Sequence, residues 1–358
     1  MAQKHNSAPD GQSAIYTLAQ NGTGETGKEP KILIGKGSEA TAEGYGKRKC
    51  KNKAITDALL LRLIDIAKKD GRDEIVKSLW NSWHCQNKVY THEGRLYTGK
   101  YCKNRFCRNC LGIRKAELIN KYHPVLKDWT DAHFVTLTVR AVPKKRIREV
   151  FEACIRGLNR IIDRYEKRAA RGKGKKLMGI RSLESNFNPY RRTYNPHLHL
   201  IVPDRETAEI LVKEWLALWK YEPTIKKNWV VPYAQDMRKV KNLDTTLIEV
   251  IKYGTKVFTD PEGKEKPKGV VKIYARAFYN IIVAMFGLRL FASFGFTLPK
   301  KDKEERTPAQ VVTNYEEWVH VAELQNWTNT EKWELLFDEQ PDPELADLLT
   351  YSLDSILE

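Results

Sequence analysis

The stretch Tyr194-Asn195-Pro196-His197-Leu198-His199-Leu200-Ile201-Val202 constrains this chain more than any other. Apolar and β-branched residues follow one proline, which predicts a strand with Pro196 near its start. Strand side chains alternate, so His197 and His199 share one face while Leu198 and Leu200 take the other. Two imidazoles side by side on a rigid strand make half of a divalent-metal site. Taken alone, such a pair is more often two packed histidines, so the surrounding residues decide.

Those residues predict a compact set of elements. His133-Phe134-Val135-Thr136-Leu137-Thr138-Val139 reads as an earlier strand. Pro143 can start a helix whose apolar positions, Ile147 to Tyr165, keep helical spacing to about 168. After the basic loop RAARGKGKK, residues 177–184 read as a second strand, and the turn SNFNPYRRTYN leads to the histidines. Asp204 is placed to cap a helix running to about Lys220, and Trp229 to Val240 reads as a fourth strand. Asp244 or Thr245 then caps a helix, TLIEVIKYGTKV. The order β-α-β-β-α-β-α predicts an α+β fold, a ferredoxin-like split β-α-β domain with a central antiparallel sheet. The histidine strand belongs at its centre. Glu184 ends the strand expected beside it, so its carboxylate is a candidate third ligand. Two imidazoles and a carboxylate leave positions for water and a phosphate oxygen. Glu249, Tyr253 and Lys256 fall near one face of the last helix. Elsewhere Tyr253 would be a routine helix residue and the charges a solvated pair. Opposite a metal-held phosphate, its hydroxyl is a candidate nucleophile.

Six cysteines, four of them between 85 and 110, point to metal rather than disulfides in a chain without a signal peptide or a long uncharged apolar run. Cys107-x-x-Cys110 is a chelate knuckle. Cys85 and Cys102 can complete a tetrahedral thiolate set for structural Zn²⁺, with His84 or His92 as substitutes for one ligand. Buried free thiols are the plainer alternative, but a CxxC among so many Lys and Arg favours a small metal-clamped loop module. A helix is predicted over 53–80, just ahead. Lys100, Lys103, Arg105, Arg108, Arg114 and Lys115 surround the cysteines, as on a DNA-facing surface, and Arg191 and Arg192 add charge in the turn before the histidine strand. A net charge of +17 points to a polyanion, most often nucleic acid. The charge is uneven, since residues 301–358 hold 4 Lys and Arg against 15 Asp and Glu.

With these residues in place, the chain resembles a rolling-circle replication initiator of the HUH endonuclease superfamily, and is most similar to the single-tyrosine replication proteins of small bacterial plasmids. The resemblance is carried by FVTLTV, NPHLHLIV and EVIKYGTK in that order, by CKNRFCRNCLGIRK before them, and by GLRLFASFGF at 287–296; it covers roughly 85–296. It implies metal-dependent, site-specific nicking and joining of plasmid origin DNA. Tyr253 would attack the scissile phosphodiester, leaving a 5′-phosphotyrosine and a 3′-hydroxyl primer. Mg²⁺ or Mn²⁺ on His197 and His199 would polarise the phosphate, and Glu249 would help water end the cycle. It also implies a host helicase and replication machinery as partners, a bacterial cytoplasmic setting and no membrane. A single-strand transposase of the same superfamily would share the site. A non-catalytic, zinc-containing DNA-binding regulator would share only the basic module.

Four regions are expected: a disordered tail over 1–48, a helical and Cys-rich zinc-binding, DNA-binding module over 49–125, the endonuclease domain over 126–298, and an acidic tail over 299–358. Within the third, the apolar run between Lys268 and Phe296 reads as a helix packed on the nuclease domain.

Overall fold

A computed structural model describes residues 15–17, 32–34, 42–98, 101–188, 190–219, 230–251, 269–298, 310–312, 315–338, 341 and 343. The chain divides into two compact units, 1–117 with 301–358, and 118–300. No described helix is long and apolar enough to cross a membrane.

The first unit opens with the short strands β1 (Ile15–Thr17) and β2 (Ile32–Ile34), then α1 (Ala42–Lys69) and α2 (Asp73–Trp83). The single helix expected over 53–80 is therefore two, broken at Gly71, whose φ of +64° suits glycine. The hairpin β3 (Lys88–His92) and β4 (Arg95–Thr98) follows, and α3 (Arg108–Leu126) begins just past Cys107.

The second unit carries the expected order. It runs β5 (His133–Thr138), α4 (Ile147–Ala170), β6 (Gly179–Asn188), β7 (Thr193–Val202), α5 (Arg205–Leu218), β8 (Asp236–Lys239), α6 (Leu243–Val250), α7 (Gly269–Met285) and β9 (Phe291–Phe294). The sheet order is β8-β5-β7-β6-β9, with every neighbouring pair antiparallel. β7 thus lies between β5 and β6, and β5 lies between β7 and β8. These are two interleaved split β-α-β units, the ferredoxin-like arrangement. α4 buries Ile147, Val150, Phe151, Cys154, Leu158 and Ile161, one stripe at helical spacing. Asp204 caps α5 by accepting from the Thr207 amide at 2.8 Å.

Three local expectations change. Among the described residues of the fourth strand, only 236–239 pair as a strand. Before it, Pro232–Ala234 makes one 3-10 turn, and the Gln235 side chain takes the ladder's place, accepting from the Thr138 amide at 2.9 Å and donating to its carbonyl at 3.2 Å. Asn242, not Asp244 or Thr245, caps α6, accepting from the Thr245 amide at 3.0 Å. The apolar helix expected to Phe296 stops at Met285. Gly287, at φ +74°, turns the chain, and Phe291–Phe294 pairs with β6 as an edge strand.

The described C-terminal residues form strands rather than a tail. β10 (Gln310–Val312) pairs with β2, and β11 (Glu316–Val321), β12 (Asn326–Asn329) and β13 (Glu334–Leu335) extend the β3–β4 hairpin in the order β13-β12-β11-β3-β4. The physical reason lies in the aromatics. Trp318, Trp327 and Phe337 are buried against Cys50, Val89 and Leu96. A Cβ on Gly46 of α1 would sit 2.1 Å from the Phe337 ring, so only glycine allows that approach. Two acids of β11 pair at the rim, Glu317 with Lys88 at 2.6 Å and Glu316 with Lys332. β1, β2 and the first turns of α1 likewise fall within the stretch expected as an N-terminal tail.

Candidate active site and metal centres

The register of the central sheet builds the first centre. His197 of β7 stands opposite Thr138 of β5 and Glu184 of β6; His199 stands opposite Thr136 and Ser182. Residues directly opposite share a face, so the alternation that pairs the histidines also brings Glu184 to them. Glu184 Oε2 lies 3.9 Å from His197 Nε2 and 3.7 Å from His199 Nε2. All three side chains are buried. Their ligand atoms lie within 4.8 Å of one another. The separations exceed a hydrogen bond and suit donors that share an ion.

The imidazoles are held by their other nitrogens. His197 Nδ1 is 2.8 Å from the Asn195 carbonyl. A carbonyl only accepts, so Nδ1 carries the proton and Nε2 offers its lone pair toward Glu184. His199 Nδ1 meets Thr136 Oγ1 at 3.1 Å. Ser182 Oγ donates to Glu184 Oε1 at 3.4 Å, which leaves Oε2 as the oxygen facing the rings. The donor set fits a divalent ion, and its two imidazoles favour a transition ion over the harder Mg²⁺.

Glu249 lies on α6, which packs against β7. Its Oε2 accepts from Arg238 Nη2 at 3.1 Å. The Arg238 guanidinium lies 4.6 Å from the Phe134 ring centre, and that ring lies 5.1 Å from His199. One chain of contacts therefore joins Glu249 to the histidine face. Tyr253 and Lys256 lie outside the described residues, as does Lys100.

The second centre is in the other unit. Cys85, Cys102, Cys107 and Cys110 form one cluster. Cys85 and Cys110 sulfurs are 3.5 Å apart, Cys102 and Cys110 3.6 Å, and Cys107 and Cys85 3.8 Å. These distances are far too long for disulfides and near the roughly 3.8 Å edge of a tetrahedron with Zn–S of about 2.3 Å. Backbone amides also point at sulfur: Cys102 to Cys85 at 3.3 Å, Asn104 to Cys102 at 3.4 Å and Cys110 to Cys107 at 3.5 Å. Hydrogen bonding from Cys107, then Cys110 and Cys85, drives the Cys102 thiol down, and bonding to Cys102 drives Cys85 up. The set is complete without a histidine; His84 stacks on Trp80 and His92 lies 3.7 Å from Glu93. Lys103 and Arg114 nearby are exposed, whereas Arg105, Arg108 and Lys115 are half-buried. Arg191 and Arg192 are exposed on the β6–β7 turn of the other unit.

Sequence reasoning missed Thr136, Ser182, Asn195 and Arg238 around the first centre and Lys49 beside the second. Burial lowers the Lys49 ammonium to about 8, while Cys110 and Cys85 pull it back up. Thr136 and Ser182 become legible only once three strands are aligned in register; no single strand names them.

A profile of the replication protein family matches residues 93–340. That span contains Glu184, His197 and His199 and three of the four clustered cysteines. "Protein rep" of Streptococcus pneumoniae serotype 2 is 27% identical over 259 residues, covering 66% of this chain and 75% of that protein. "Protein rep" of a Bacillus species is 28% identical over 167 residues, 43% of this chain and 52% of its own. A Staphylococcus aureus "Protein rep" is 29% identical over 176 residues, 45% of this chain and 72% of its own. No solved structure matches.

Proposed function

This chain belongs to the replication protein family, and we propose that it initiates plasmid rolling-circle replication by nicking and rejoining origin DNA at Glu184, His197 and His199. The observation that carries the reading is the direct register of Glu184 against His197, which assembles two imidazoles and a carboxylate on one buried sheet face. A divalent ion there, Mn²⁺ or Mg²⁺, would supply Lewis-acid polarisation of a phosphate oxygen. The Asn195 carbonyl and Thr136 hydroxyl hold the ring orientations that such binding requires.

Tyr253 is the proposed nucleophile. Its phenol oxygen forms a bond to phosphorus as the bond to the 3′-oxygen breaks. The products are a 5′-phosphotyrosine and a 3′-hydroxyl that primes synthesis. A phenol loses its proton near pH 10 in water, and Lys256, three residues on in the sequence, is the group proposed to help remove it. Glu249, tied to the site's face through Arg238, is proposed to orient the water that ends the cycle. Clustered cysteines holding Zn²⁺ would brace the basic module against DNA. The partners that follow are origin DNA, single-stranded at the nick, and a host helicase with its replication machinery, in the bacterial cytoplasm.

The test is incubation with supercoiled plasmid carrying the cognate origin, with Mn²⁺ or Mg²⁺, followed by mapping of the nick and of any linked protein. One site-specific nick with protein on the 5′ end is expected, and Tyr253→Phe should lose the adduct. Cleavage that persists in excess EDTA, or an adduct on another tyrosine, would overturn the reading.

A further inference from the structure

Three chain junctions gather at one end of the nuclease sheet. β6 turns into β7 there, with Asn188 opposite Thr193. β5 leaves at Thr138, opposite His197, and β8 begins at Asp236, opposite Thr136. Thr193 is four residues from His197, about 13 Å along the strand. The end of β5 and the start of β8 are level with the histidine pair.

Two tyrosines project from it. Tyr190, on the β6–β7 turn, is 96% exposed, and Tyr233, on the 3-10 turn before β8, is 90% exposed. Both turns are fixed to the scaffold. Asn188 Oδ1 accepts from the Tyr190 amide at 3.1 Å and the Arg191 amide at 3.0 Å. Gln235 clamps the other turn to Thr138 through both ends of its side-chain amide. Arg191 and Arg192 follow Tyr190 and are exposed, as are Arg140 and Lys144 on the segment that follows β5. That segment runs beside the start of β7, where Val142 bridges to Tyr194.

A single exposed tyrosine needs no explanation. Two on braced turns, at one end of one sheet and among cations, have the composition of a single-strand binding surface. There rings stack on bases and cations follow the backbone. We propose that Tyr190 and Tyr233 stack on bases of single-stranded DNA beside the scissile phosphate, with Arg191 and Arg192 on its phosphates. The surface delivers the strand to Glu184, His197 and His199. The assignment rests on the initiator reading.

The experiment measures binding of the full chain to a labelled single-stranded oligonucleotide spanning the origin, by fluorescence anisotropy across a salt series. Tyr190→Ala and Tyr233→Ala should each weaken binding by about 5- to 150-fold, the range for removing one base stack, with the salt slope unchanged. Tyr190→Phe and Tyr233→Phe should restore it. Replacing Arg191 and Arg192 by Ala should instead flatten the slope, by about 0.7 for each phosphate left without its cation. Unfolding midpoints equal to wild type confirm that the variants fold. Alanine variants that bind as tightly as wild type overturn the surface, as does an equal loss on blunt duplex; if the wild type still nicks the origin, the initiator reading stands. Tyrosine-dependent binding without any nicking overturns the initiator reading and leaves the surface in place.

Discussion

Asn195 and Thr136 set the orientation of the histidine pair. Each occupies the Nδ1 of one imidazole, so each ring is locked before a ligand arrives. Removing such an outer hydrogen bond weakens metal binding by about 10- to 100-fold. Thr136→Val should show that weakening in a Mn²⁺ titration with no change in fold, and Glu184→Gln should lose more, because a ligand has gone. Unaltered Mn²⁺ affinity in Glu184→Gln would place the third ligand elsewhere. A second residue-scale prediction concerns Arg238. If it holds Glu249 toward the site, Arg238→Ala and Glu249→Ala should give the same defect: normal first nicking and adduct, then elongated, multimeric displaced strands. Monomeric products from both would reduce their 3.1 Å contact to a surface ion pair worth a few tenths of a kcal/mol. At this scale the sequence named the histidines by alternation and Glu184 by strand order. It could not name Arg238, because the position of β8 against Phe134 exists only in the folded sheet.

The elements were legible where periodicity was strong. α4, β7 and α5 lie within a few residues of the spans read from spacing and capping. β9 was read as helix because its apolar residues continue the pattern of α7, and Gly287 is the lone sign of the break. The cysteine cluster joins the end of α2 to the start of α3, and structural zinc supplies folding energy to such modules. Elemental analysis of protein purified without added metal should find about one Zn per chain, the stoichiometry of a four-ligand site. Cys107→Ser should lower the unfolding midpoint along with the zinc content; a metal-free chain with an unchanged midpoint would refute the site. A buried polar group joins α1 to β11. Lys53 Nζ donates to Asp57 Oδ1 at 2.7 Å, and Asp57 Oδ2 lies 3.4 Å from His320 Nδ1. Burial lifts the Asp57 carboxyl to about 7 against the pull of Lys53, and burial holds His320 well below its usual value. As pH falls from 7 toward 4, Asp57 takes a proton in the folded chain before the unfolded chain does, which favours folding. Below about 6.5 the unfolded chain protonates a histidine that the folded chain keeps neutral, which opposes it. His320→Asn removes the opposing slope. Its urea midpoint should rise from pH 7 to pH 4.5 more steeply than wild type; parallel curves would show that His320 titrates normally.

At the scale of the molecule, composition misled where it was most lopsided. The excess of acid over 301–358 reads as a tail, yet Trp318 and Trp327 complete a core while Glu316 and Glu317 sit on lysines at its rim. Truncation at residue 300 should therefore not behave as the loss of a tail. It should uncover Val89, Leu96 and Cys50, cost solubility, and lower the zinc content per chain. A soluble truncated protein with full zinc would show that the first unit stands without β11 and β12.

The first unit is made from residues 1–117 and 301–358, and the second, 118–300, is an insertion within it. On the ribosome the order of synthesis then separates the two. The sheet bearing Glu184, His197 and His199 emerges whole while the β3–β4 hairpin still waits, its open edge at β3, for a partner strand that is translated last. A nascent chain is then expected to hold Glu184, His197 and His199 together before β11 reaches β3. Release from the ribosome is expected to be what lets β11 complete the sheet at β3.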